Sequence, residues 1–161
     1  MLPYQRMRRL CPWKPHVRKG VPTSQTYKVP QYNGTPGWLL FSHDNDGQPV
    51  SLFVDGNEVV TPVPIVLDER VFSDSVFRAI RLSPSVFVAC DIRYLNGKNL
   101  FETMSFPDRK AKLEELLDLL HVPDFTALIS VDDVQNGTPL RGYEHYDESP
   151  GTVGVFLPVL E

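Results

Sequence analysis

The first 43 residues contain no aspartate and no glutamate. That stretch carries seven cations: Arg6, Arg8, Arg9, Lys14, Arg18, Lys19 and Lys28. The remainder sets nine Lys and Arg against 20 Asp and Glu, a net of −11 that the overall formal charge of −4 conceals. A basic segment on an acidic body points to a polyanionic partner or to a targeting segment. Cysteine is scarce as well: Cys11 and Cys90 lie far apart with no metal-ligand spacing. That excludes a disulfide framework and sets the expectation of free thiols in a reducing, intracellular compartment, with cytoplasm, nucleus and organelle all open. The four histidines, His16, His43, His121 and His145, are scattered and form no zinc motif. No apolar run approaches the ~20 residues that span a bilayer, and no apolar stretch follows the basic start as in a secretory signal. No membrane role and no metal are expected.

What is present suffices for one domain. The chain has 161 residues, 42% of them hydrophobic, close to the composition of ordinary globular domains. Pro3, Pro12, Pro15, Pro22 and Pro30 punctuate the start, and proline at that density opposes a long helix. Residues 1–30 therefore read as a basic, extended arm and residues 31–161 as the core. Tyr4, Trp13 and Tyr27 interleave with the cations, a pattern that suits base stacking combined with phosphate contact. The same aromatics equally suit anchoring of the arm to the body, and an organelle transit segment is a third reading.

From Trp38 onward the pattern becomes β. Trp38–Phe41 and Val50–Val54 read as strands separated by an Asp44–Gly47 turn, and a third strand starts at Val59-Val60 after Asp55-Gly56-Asn57. Ile65–Phe72 and Val86–Tyr94 read as further strands, the latter central because it is nearly all apolar through Cys90. Asp74–Leu82 reads as a short helix or a wide loop. One helix is clear: Pro107 and Asp108 suit its first turn, Leu113, Leu116, Leu117 and Leu120 form one apolar face, and Val122-Pro123 ends it. Ala127–Val131 reads as a strand, Asp132–Pro150 as a polar loop and Val153–Leu160 as the final strand. The fold class is α+β: a mainly antiparallel sheet with one clear amphipathic helix.

Several segments, taken in order, resemble the covalent nucleotidyltransferases, the messenger-RNA capping enzymes and ATP-dependent DNA ligases. Gln31-Tyr32-Asn33-Gly34-Thr35 resembles that family's Lys-x-Asp-Gly motif. Val66–Val71 resembles its Leu-Asp-Gly-Glu-Leu-Val strand. Phe87–Gly97 resembles its Tyr-Leu-Ile-Tyr-Asp-Ile strand with the following Asn-Gly turn. Leu100–Leu117 resembles the loop and Leu-rich helix that come next, and Val153–Pro158 resembles a late Asp-Gly-Leu-Ile-Phe-x-Pro strand. The resemblance covers residues 30–160 and implies a nucleotidyltransferase-like core. It also implies a nucleotide site that includes Gln31, Asn33, Gly34, Glu69, Phe87 and Asp91, with Glu69 or Asp68 bonding the ribose and Phe87 stacking on the base. The residue-level alternative is that Phe87 is core and Glu69 a surface residue.

The departures fall on the chemistry. Where the family places its nucleophilic lysine this chain has Gln31, and where it places aspartates on the metal and phosphate side this chain has Asn33 and Val153. A deprotonated amine has a free lone pair, whereas an amide nitrogen is conjugated with its carbonyl and does not attack phosphorus. Lys28 is the nearest substitute amine. No catalytic residue is therefore assigned. The expected function is a catalytically inactive domain that binds a nucleotide such as GTP or ATP, a capped RNA end, or RNA through the seven basic residues of the arm. Two other readings stand beside it: an active capping-type guanylyltransferase or part of one, and a structural subunit whose unpaired sheet edge takes a protein partner. Cys90 is expected to be buried and inert, the carboxylates Asp132-Asp133 and Asp147-Glu148 solvated, and His145 without a catalytic role.

Overall fold

The structure is a computed structural model that describes residues 2–10, 17–19, 26–65, 73–118, 127–151 and 154–159. The order of elements is α1 (Leu2–Leu10), β1 (Val17–Lys19), β2 (Thr26–Tyr32), β3 (Thr35–His43), β4 (Pro49–Asp55), β5 (Val60–Pro62), β6 (Ser75–Ser83), β7 (Val86–Leu95), β8 (Lys98–Asn99), α2 (Phe106–Leu117), β9 (Ala127–Ser130), β10 (Leu140–Asp147) and β11 (Gly154–Pro158). The architecture is α+β with mainly antiparallel pairing. A seven-stranded sheet runs β5-β4-β3-β6-β7-β8, with β9 added in parallel along β7, and a four-stranded sheet runs β1-β11-β10-β2.

Alternation along the strands of the larger sheet sorts its side chains into two faces. Leu39, Phe41, Phe53, Phe77, Ala79, Phe87, Ala89 and Ile92, with Leu128 of β9, form one face, covered by Leu113 and Leu116 of α2. Trp38, Leu40, Leu52, Val54, Val76 and Tyr94 form part of the other, covered by Met7 of α1. Farther along this second face, Ile80, Val88 and Cys90 meet Val29 and Tyr146 of the smaller sheet, with Phe106 at the start of α2. The larger sheet is thus a central layer. The smaller sheet and α1 lie on one side of it, and most of α2 lies on the other.

Four sequence expectations are corrected. Residues 2–10 of the arm are helical, because Pro3 falls in the first turn, where its missing N–H has no intrahelical partner to lose, and the next seven residues contain no proline. The end of the arm is β2, which pairs with β10 from Thr26 to Tyr32. Asp74–Leu82 is strand β6 rather than a helix or loop: Asp74 takes a left-handed φ of 59° and turns the chain into it. The polar segment 132–150 contains strand β10, whose inward positions are Gly142, Glu144 and Tyr146, so no apolar alternation marks it. Of the expected strand Ile65–Phe72, residues 66–72 lie outside the described residues; α2 ends at Leu117 with Asp118 as its C-cap, and the expected stop at Val122-Pro123 also lies outside them. Pro49 opens β4, and Pro62 and Pro158 close β5 and β11. Pro30 falls inside β2, which is an edge strand, and Pro36 precedes the first β3–β4 pair although it lies opposite Ile80 of β6. Asn96 and Gly97 both take positive φ, 53° and 78°, and form the tight turn between β7 and β8.

Candidate functional site between the two sheets

The end of β2 delivers Gln31 into the space between the sheets, where it is 1% exposed. Its Nε2 donates to the Pro30 carbonyl at 3.2 Å and lies 3.8 Å from Cys90 Sγ, while Oε1 is buried without a hydrogen-bond partner among the described residues. Asn33 is exposed in the following turn, its backbone N–H donating to the Pro139 carbonyl at 2.9 Å. Gly34 is required by close approach: a Cβ there would lie 2.6 Å from the Arg81 carbonyl oxygen. Burial pushes the Cys90 thiol up to about 12, so it is neutral and unreactive at physiological pH.

Of the other residues proposed from sequence for a nucleotide site, Phe87 points away from Gln31 and Asp91 is engaged by arginines. Phe87 points to the opposite face of the larger sheet, fully buried against Phe53 at 5.7 Å between centroids. It therefore occupies the core position that its residue-level alternative describes. Asp91 is fully buried and its carboxylate is already taken up: it accepts from Arg93 Nε at 2.7 Å and from Arg109 Nε and Nη2 at 2.9 and 3.2 Å. Glu69 and Val153 lie outside the described residues.

The basic segment is distributed in the same uneven way. Arg6 donates to Ser42 Oγ and the His43 carbonyl and pairs with Asp74 at 3.1 Å. Arg8 pairs with Glu58 at 3.0 Å. These two cations anchor α1 to the body. Arg9 is exposed, and Lys28 sits on the outer face of the smaller sheet, 4.1 Å above the Tyr143 ring. Arg18 and Lys19 fall in β1, and Lys14 lies outside the described residues.

What the sequence reading missed is a buried charge network between the sheets. Arg78 of β6 donates to Glu144 of β10 at 2.8 Å and to the Gly37 carbonyl at 3.3 Å. Tyr146 donates its hydroxyl to the other oxygen of Glu144 at 2.6 Å. Arg109 of α2 reaches the Asp91 carboxylate and also donates to the Met104 carbonyl at 2.9 Å. Aromatic rings fill the gaps between the charges. The Arg78 and Arg93 guanidiniums lie 5.1 and 5.0 Å from the Trp38 ring centre, and Phe106 stacks on Tyr146 at 4.7 Å. Burial alone would raise the Glu144 carboxyl, but Arg78 and the hydrogen bonds outweigh it and hold the group below its ordinary value. Burial, followed by the Glu144 charge, holds the Tyr146 phenol well above its ordinary value, so it remains a donor. The available signals were Arg78 inside the apolar run Val76–Ile80 and the same-face spacing of Asp91 and Arg93. Charged residues embedded in a central strand are rarely solvated.

Among the described residues no group of three or more His, Cys, Asp or Glu is placed to hold a metal ion, and no helix is long and apolar enough to cross a membrane. Compared with known proteins, the chain matches no family model and no curated protein.

Proposed function

We propose that the chain is a catalytically inactive domain on a nucleotidyltransferase-like scaffold that binds a nucleotide, an RNA cap or RNA. The observation that carries the first half of this reading is the placement of Gln31. It ends β2 directly before the Asn33-Gly34 turn, faces inward, and brings an amide to the position that the resemblance reserves for an amine. Lys28, the nearest alternative nucleophile, is exposed and three residues earlier on the strand, so it faces the opposite side of the smaller sheet. The binding half is supported by Gln31 Oε1, a buried acceptor with no hydrogen-bond partner among the described residues. The scaffold half is supported by two stacked, mainly antiparallel sheets and by an Asn96-Gly97 hairpin that leads into α2.

A structural-subunit reading is favoured by a different observation: Phe87 and Asp91 are both consumed by packing and ion pairing. Two measurements separate the readings. Calorimetric titration with GTP, ATP, a cap analogue and short single-stranded RNA should show reversible binding of at least one. Intact-mass analysis after incubation with GTP or ATP and magnesium should show no adduct. A nucleotide adduct would make the protein an enzyme, and the absence of any binding would leave the structural reading. RNA binding is best tested by substituting Arg9 and Lys28 rather than by deleting residues 1–28, because that deletion removes α1 and cuts into β2.

A further inference from the structure

Among the described residues, three buried arginines, Arg78, Arg93 and Arg109, share the inter-sheet space with two buried carboxylates, Asp91 and Glu144. One cation is therefore in excess, and the hydrogen bonds identify which. Arg109 uses Nε and Nη2 on Asp91 and Nη1 on the Met104 carbonyl. Arg78 uses Nη2 on Glu144 and Nη1 on the Gly37 carbonyl, and its Nε has no partner among the described residues. Arg93 uses Nε alone, on the Asp91 oxygen that Arg109 Nη2 also approaches. Its Nη1 and Nη2 are buried with no hydrogen-bond partner among the described residues, and the residue is 1% exposed. Unpaired donors at that depth are costly, and charged ones more so.

The surroundings of Arg93 determine what can satisfy it. Its guanidinium carbon lies 4.2 Å from the Phe101 ring centre, 5.0 Å from that of Trp38 and 5.8 Å from that of Tyr146. Rings stacked on a guanidinium leave its edges for hydrogen bonding, and Asp91 occupies the Nε side. The remaining edge presents Nη1 and Nη2 as a planar fork, the geometry that two oxygens of a carboxylate or phosphate match. We propose that the seam between the two sheets is a binding site for one oxyanion, a phosphate or carboxylate group, held by the Nη1/Nη2 edge of Arg93. The site balances the surplus charge and needs no nucleotide, so it stands apart from the function proposed above.

Trp38 supplies the readout, because its ring centre lies 5.0 Å from the Arg93 guanidinium that holds the site. The chain has two tryptophans, so Trp13→Phe isolates the Trp38 signal. Inorganic phosphate, acetate and a nucleoside monophosphate are titrated separately at constant ionic strength, following Trp38 emission and Tm. The expected result is a saturable emission change and a rise in Tm with at least one of them, because a ligand of the folded state stabilises it. Both responses should be lost in Arg93→Met and retained in the surface variant Arg9→Met. Arg93→Lys keeps the charge without the fork and should bind about tenfold more weakly or worse. A response to the nucleoside monophosphate alone places the oxyanion on a larger ligand and retains the site, whereas a response to free phosphate makes the ion itself sufficient. If no anion changes Trp38 emission in the protein with its native Arg93, the proposal fails, even if Arg93→Met does not fold. It fails equally if Arg93→Met folds and responds as before.

Discussion

The two faces of the seven-stranded sheet differ in one respect: the face toward α2 packs into an apolar cluster, whereas the other sets a network of buried charges among its apolar residues. Toward α2 the sheet presents Leu39, Phe41, Phe53, Phe77, Phe87 and Ile92, with Leu113 and Leu116 closing over them. Toward the smaller sheet it presents Arg78, Asp91 and Arg93 beside Trp38, met by Glu144, Tyr146 and Arg109. The first face is held by apolar burial, which is non-directional and accommodates repacking. The second is held by charges that have lost their water and regain stabilisation only with correctly placed partners. Apolar packing keeps the sheet covered. The Arg78–Glu144 pair fixes which residue of β10 lies over which residue of β6, and the Arg109–Asp91 pair fixes where α2 starts against β7.

The largest expected effect comes from leaving the charged face unbalanced. Asp91→Ala strands two buried guanidiniums at once and should cost about 5 kcal/mol or more, at or above the top of the range for breaking a buried pair. Phe77→Ala on the apolar face should cost about 3–4 kcal/mol through lost burial and a cavity. Urea unfolding of both variants makes the test. A smaller loss for Asp91→Ala than for Phe77→Ala would mean that water reaches the seam and that the contrast between the faces is weaker than their composition implies.

The next effect sharpens the contrast by removing charge in matched sets. Arg78→Met alone leaves Glu144 with only the Tyr146 hydroxyl and should cost about 3–5 kcal/mol. The triple change Arg78→Met, Glu144→Met and Tyr146→Phe removes donor, acceptor and second donor together. Its cost should fall to about 1 kcal/mol or less, because a matched apolar replacement leaves no uncompensated charge. Such non-additivity has no counterpart among truncations on the α2 face, where each loss creates its own cavity. If the triple variant is as unstable as the single one in denaturant melts, Trp38 packing rather than ion pairing holds the seam.

This division also governs what the sequence made legible. Strands β3, β4 and β7 and helix α2 are visible as alternation or helical spacing because their buried residues are apolar: Leu39 and Phe41, Phe53, Phe87 and Ala89, Leu113 and Leu116. Strands β6 and β10 are obscured where their buried residues are charged or polar: Arg78 interrupts one, and Gly142, Glu144 and Tyr146 make up the inward side of the other. Helix α1 is obscured by the prolines around it, although only Pro3 falls inside it and that in the first turn. For the candidate site, the sequence marked Gln31–Thr35 as a turn, but it did not show strand β2, whose end carries Gln31 inward. It could not show that Phe87 and Gln31 face opposite sides of the sheet. A register irregularity in β7 between the partners of Arg78 and Ala79 shifts the alternation after Ala89, so parity counted from Phe87 fails at Asp91.

The smallest expected effect is the acid response, which also separates the buried seam from the outer face of the smaller sheet. Glu144 is held below its ordinary carboxyl value of 4.5. The folded state therefore binds fewer protons than the unfolded chain there, so the stability from this group is complete above pH 4.5 and is lost as the pH falls toward the lowered value. His145 lies one residue along, on the opposite side of β10, and is held below its ordinary 6.5, first by partial burial and then by Lys28. Its neutral form is favoured in the folded state. Its contribution is thus complete above pH 6.5 and declines as the pH drops below that value, a window that opens before that of Glu144. Stability measured by urea unfolding between pH 7.5 and 3.5 should show a shallow decline beginning near 6.5 and a steeper one below 4.5. His145→Gln should remove the first decline and leave the second intact. Lys28→Met should only weaken the first, because burial is the larger cause and remains. If His145→Gln leaves the decline near 6.5 unchanged, another group titrates there, and the outer face contributes nothing to the pH dependence.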